Sequence, residues 1–76
     1  MKLPRDVSSD ELINLLKRLG YVVVRQRGSH VRLSYRDKHH ITVPAHKTLK
    51  PGLLHAILKD VSETTGADVK KLYELL

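Results

Sequence analysis

Arg25, Arg27, His30 and Arg32 crowd together on either side of the dipeptide Gly28-Ser29. An imidazole takes or gives a proton near neutral pH, and guanidiniums hold the oxygens of a phosphate. Neighbouring positive charges repel an imidazolium, which favours a neutral base. Such a base suits a substrate that carries its own nucleophile. A ribose 2′-hydroxyl can lose its proton to the base while cations stabilise the charge that builds on the phosphorane. No metal is obligatory for that route. The same residues also describe a solvated histidine beside a turn, flanked by arginines that only grip a phosphate backbone. Spacing by itself leaves both readings open.

Other chemistries find less support. The chain has no Cys, which removes a thiolate nucleophile, a thiolate metal site and any disulfide, and fits a reducing compartment. Gly20, Gly28, Gly52 and Gly66 are too scattered for a phosphate-cradling glycine loop, so no nucleotide cofactor is expected. Adjacent His39 and His40 would point to opposite faces of a strand, and the surrounding cations would repel a dication, so no metal site is expected either. With 76 residues the chain is read as one domain over 1–76, too small for a cleft between two lobes. No apolar stretch approaches the roughly 18 residues that span a bilayer, and the expected location is the cytoplasm, away from membranes.

The charge is unevenly placed. The net value is +6, yet residues 17–59 carry ten bases against Asp37 alone, a local +9, and all five histidines lie in that stretch. A polyanion is the expected partner of such a segment.

The elements that must position these groups can be read from the pattern. Ser8 and Glu11 have capping-box spacing, and Leu12, Leu15, Leu16 and Leu19 follow as an apolar stripe, predicting a helix from about Ser9 to Leu19 that ends at Gly20. Tyr21–Arg27 and His30–Tyr35 alternate with period two around Gly28-Ser29, predicting a hairpin. Straight pairing would place Val22 with Tyr35, Val24 with Leu33 and Gln26 with Val31 on the apolar side. It would leave Arg27 beside His30, Arg25 beside Arg32 and Val23 beside Ser34 on the other. A third strand, His40–Val43, returning through Asp37-Lys38-His39, would pair Leu33 with Val43 and Tyr35 with Ile41. The opposite face then carries Arg25, Arg27, His30, Arg32, Ser34, Arg36, His40 and Thr42 with no acid among them. Such a face lacks the aromatics on which an RNA-recognition sheet stacks bases. Pro51-Gly52 opens a second helix striped by Leu54, Ile57, Leu58 and Val61, and Asp68 caps a short third. With no Phe or Trp, the core is expected to rest on Leu, Val and Ile without aromatic anchors. The predicted class is α+β in the order α-β-β-β-α-α, with a three-stranded antiparallel sheet and the helices on one face.

The segment Arg27-Gly28-Ser29-His30-Val31-Arg32, with Leu19-Gly20-Tyr21 before it and His40-Ile41-Thr42-Val43-Pro44-Ala45-His46-Lys47 and Leu49-Lys50-Pro51-Gly52 after it, closely resembles the HicA (YcfA-like) family. The resemblance runs from Pro4-Arg5 to the closing short helix. These are mRNA interferase toxins of prokaryotic toxin–antitoxin systems. The resemblance implies a fold like that of the double-stranded-RNA-binding domain, with metal-independent endoribonuclease activity on mRNA. The family's catalytic histidine falls on His30, and no other histidine inherits that role. Arg25, Arg27, Ser29 and Arg32 are then the expected RNA-binding residues, with Lys47 and Lys50 as weaker candidates. His46, on the family's Pro-x-His-Lys segment, fits contact with RNA or partner and a structural place in the loop equally well. Leu53 stands where many relatives have Thr, which removes a capping hydroxyl from the second helix. The resemblance also implies a HicB-type antitoxin that masks the His30 surface, with DNA contact made through that antitoxin. A non-catalytic module that grips double-stranded RNA is the competing expectation.

Overall fold

In the computed structural model, residues 6–76 are described; Pro4-Arg5, the expected start of the family resemblance, lies outside them. Helix α1 spans Ser9–Arg18, strands β1, β2 and β3 span Tyr21–Arg27, His30–Tyr35 and His39–Pro44, and helices α2 and α3 span Pro51–Thr65 and Val69–Leu75. The strands form one antiparallel sheet in the order β1-β2-β3, which makes β1 and β3 its edges. The α+β order read from the pattern is the one observed.

The helix ends follow their local chemistry. The Ser8 hydroxyl accepts from the Glu11 amide at 3.1 Å, and the Glu11 carboxylate accepts from the Ser8 amide at 3.2 Å, closing the capping box. Gly20 leaves α1 with φ +110°, a conformation that favours glycine, and a Cβ there would stand 3.2 Å from the Tyr35 ring, which leaves little room for a side chain. Leu12, Leu15 and Leu16 from α1, Leu33, Ile41 and Val43 from the sheet, Leu54, Leu58 and Val61 from α2, and Leu72 from α3 form one buried cluster.

Two tyrosines join that cluster, contrary to the expectation of a purely aliphatic core. Tyr21 is 1% exposed, and its hydroxyl lies 3.0 Å from His39 Nδ1; Tyr73 is also buried, with its hydroxyl 3.0 Å from His55 Nδ1. Each ring is admitted because its polar end finds a partner.

The strand register departs from straight pairing in two places. Between Val23 and Arg25 the β1–β2 ladder slips by one residue, leaving Val24 as the extra residue of a bulge. From the turn inward the pairs are Arg27–His30, Gln26–Val31 and Arg25–Arg32; beyond the bulge they are Val23–Leu33, Val22–Ser34 and Tyr21–Tyr35. Tyr21 and Arg25 would share a face of a regular strand. The bulge reverses the alternation, so that Tyr21 enters the core while Arg25 and Arg27 remain outside. Val22 and Val24, expected inside, are therefore 57% and 52% exposed. The β2–β3 ladder is shifted by two residues from expectation: Leu33 faces Ile41, Val31 faces Val43 and Tyr35 faces His39. A two-residue shift preserves the faces, and it is made by a tighter turn. Arg36 and Asp37 both have positive φ, 53° and 57°, and the Lys38 amide donates to the Tyr35 carbonyl at 3.1 Å. Arg36, expected on the outer sheet face, thus lies in the turn with its guanidinium 5.2 Å from the centroid of the Tyr35 ring.

Candidate nucleic-acid interface

The outer sheet face begins at the β1–β2 turn. Gly28 has φ +56°, Ser29 is not in the positive-φ region, and a two-residue hairpin turn of that kind needs glycine first. The turn sets His30 directly opposite Arg27, and the next outward pair is Arg25 with Arg32, continued across β3 by Thr42. Arg25, Arg27, His30, Arg32 and Thr42 are all exposed and together line an open depression of about 320 Å³.

No acid tempers this cluster. Among the described residues the one close contact between a basic side chain and a carboxylate is His39–Asp60, on the other side of the sheet. The hydrogen bonds made by histidine side chains there belong to His39 and His55, so His30 presents an uncommitted imidazole. Two arginines directly opposed across strands cost roughly 0.2–1 kcal/mol relative to a neutral pair. Neither arginine is paired with a carboxylate among the described residues, and a phosphate would supply the missing counter-charge. The arrangement can therefore hold an anion between guanidiniums with a proton-transferring group at its edge.

The segment after β3 is fastened to the turn and to α1. The Ala45 amide donates to the Ser29 carbonyl at 2.6 Å. The Ser9 amide donates to the His46 carbonyl at 3.1 Å, the His46 amide donates to the nearly buried Ser9 hydroxyl at 3.2 Å, and the Leu49 amide donates to the Val7 carbonyl at 2.8 Å. The hairpin tip is thus tied to a stretch without regular structure, which limits how far His30 can wander.

Not every residue singled out in the sequence reaches the depression. Ser29 stands in the turn and lends its carbonyl to Ala45. Lys47 is exposed on the fastened segment and Lys50 is the N-cap residue of α2; neither lines the depression. His46 is exposed, with its backbone held at both the amide and the carbonyl. Thr42 does line it, at the β3 position opposite Arg32; the alternation placed it on this face, but a lone Thr carried no further signal.

A second polar constellation was not legible in the sequence. Tyr21 bonds His39 Nδ1, and His39 Nε2 lies 3.0 Å from Asp60 Oδ2, joining β1, β3 and α2 on the helix-covered side. Burial, followed by the nearby Asp60 charge, pushes the Tyr21 hydroxyl up to about 12. His39 and His40 do fall on opposite faces, since His39 pairs with Tyr35 and His40 with Ser34.

Residues 9–62 match a protein family described as the HicA toxin of bacterial toxin–antitoxin systems. No curated protein and no solved structure matches the chain. The matched stretch runs from the start of α1 into α2 and contains every residue of the depression.

Proposed function

The chain belongs to the HicA toxin family of bacterial toxin–antitoxin systems, and we propose that it is an endoribonuclease that cleaves mRNA without a metal, with His30 as its general acid–base residue. Its family membership implies a cognate antitoxin. In this reading that antitoxin is of the HicB type, masks the His30 surface and makes whatever contact with DNA the pair needs. The site of action is the cytoplasm, where mRNA is found; no helix among the described residues is long and apolar enough to cross a membrane.

An exposed imidazole, without a hydrogen-bond partner among the described residues, stands at the rim of an acid-free depression lined by Arg25, Arg27 and Arg32, and this supports the role given to His30. His30 removes the proton from a ribose 2′-hydroxyl, and the oxygen attacks the adjacent phosphorus. The guanidiniums take up the charge that grows on the non-bridging oxygens. The departing 5′-oxygen takes a proton from water and the protonated His30 returns its own to solvent, so the products are a 2′,3′-cyclic phosphate and a 5′-hydroxyl. General-base assistance contributes typically about 10²–10⁴-fold, and cations positioned on the phosphorane add to it. Purified protein with RNA in excess EDTA is expected to cleave, and His30→Ala to lose cleavage while still binding. Loss of cleavage in EDTA, or full cleavage by His30→Ala, would remove the mechanism.

The acid-free face also suits a module that grips double-stranded RNA by its phosphates without cutting it. That reading predicts salt-sensitive binding with no turnover. Cleavage separates the two.

A further inference from the structure

Arg25, which lines the depression, follows directly on a stretch of the sheet's edge that the cleavage reading does not use. Val22, Val23 and Val24 of β1 are 57%, 40% and 52% exposed, three consecutive valines on an edge strand. Edge strands present unpaired amides and carbonyls, and proteins commonly guard them with Lys, Pro or inward charges. The valine stretch has none of these. The bulge at Val24 bends the strand and keeps the open stretch short.

Charge selects what can pair there. No Asp or Glu occurs between Glu11 and Asp37. Exposed Lys17 and Arg18 close α1 just before the valines, and exposed Arg25 and Arg27 follow them. A second copy of this chain would bring the same cations alongside, and like charges opposed across strands are destabilising. A strand with carboxylates at both ends gains at both ends. We propose that the β1 edge at Val22–Val24 is a docking surface for an extended segment of a protein partner, apolar at alternate positions in its centre and acidic at its ends, which adds a strand to the sheet. The proposal rests on the toxin–antitoxin assignment only in that the antitoxin is the natural carrier of such a segment; it does not require RNA cleavage.

The test is a titration of ¹⁵N-labelled protein with the peptide Glu-Glu-Val-Thr-Val-Thr-Val-Glu-Glu, followed by amide chemical shifts. Saturable shifts centred on Val22, Val23 and Val24 are expected. Replacing the peptide's valines by glycine, or introducing Val23→Lys in the protein, is expected to weaken binding at least about tenfold, the scale of one buried apolar side chain. Val23 is partly exposed, and an unchanged thermal melt would show that the variant folds. Equal binding of the glycine peptide, shifts confined to other residues, or no shifts at millimolar peptide would overturn the proposal. So would concentration-dependent valine shifts without peptide, which would assign the edge to a second copy, or valine shifts with an RNA oligonucleotide, which would assign it to RNA. His30→Ala is expected to bind the peptide as the unaltered protein does, so failure of the cleavage reading leaves this result standing and the reverse also holds.

Discussion

His30 opens β2 beside the Gly28-Ser29 turn and His39 opens β3 beside the Arg36-Asp37 turn, so the two imidazoles occupy opposite ends of one sheet and opposite faces of it. His39 spends both ring nitrogens, one on Tyr21 and one on Asp60, and thereby ties two strands to α2. His30 spends neither among the described residues and faces arginines instead of a carboxylate. A polar group that is fully satisfied within the fold contributes to the fold, whereas one left open among like charges costs stability and gains only when a ligand arrives. The separation between the two ends is made by the bulge at Val24, which lets β1 deliver Tyr21 to one face and Arg25 and Arg27 to the other.

The largest expected effect comes from exchanging the fates of the two histidines. His30→Ala should lower RNA cleavage by about 10²–10⁴-fold with an unchanged urea midpoint. His39→Ala should leave the cleavage rate near that of the unaltered protein and cost about 1–3 kcal/mol in urea unfolding, because the buried Tyr21 hydroxyl loses its partner. The reverse pattern would dissolve the distinction.

Alkaline pH sharpens it. The Tyr21 hydroxyl is raised from 10.0 to about 12 in the folded chain, first by burial and then by Asp60. The stabilisation tied to the neutral phenol is therefore complete below the unfolded value and lost as pH climbs through the folded one. Stability should fall by about 2–3 kcal/mol across that window, as followed by urea unfolding, and Tyr21→Phe should flatten the dependence.

A smaller effect lies in the turn near His39, where Arg36 and Asp37 both hold positive φ. Arg36→Asn combined with Asp37→Gly supplies residues that tolerate this geometry and should raise stability by about 1 kcal/mol in thermal melts, without altering cleavage. At the other end, Arg25→Gln relieves the opposition to Arg32. It should stabilise the free protein by about 0.2–1 kcal/mol and reduce the salt slope of RNA binding by about one.

The sequence made some of this legible and hid the rest for identifiable reasons. Caps, apolar stripes and the Gly28-Ser29 turn are local signals, and the three helices, the hairpin and the pairing of Arg27 with His30 and Arg25 with Arg32 follow from them. The bulge is not local. Straight alternation would bury Val22 and Val24, and the competing gain, a tyrosine ring in the core with its hydroxyl on His39, depends on strands and a helix far apart in sequence. The turn at Arg36-Asp37 was hidden because neither residue announces a positive φ as glycine does. Ser9 gave no sign that it would hold the backbone of His46. At the candidate site, residue type and hairpin spacing placed the arginines and His30 on one face, whereas Lys47 and Lys50 were grouped with them by charge and stand outside the depression.

End-group analysis of RNA cut by the purified protein in excess EDTA tests most directly whether His30 acts on the substrate's own hydroxyl. The expected termini are 2′,3′-cyclic phosphate and 5′-hydroxyl, with none of them from His30→Ala and no cutting of a 2′-O-methyl strand. Cleavage of the 2′-O-methyl strand, or 5′-phosphate termini, would contradict it.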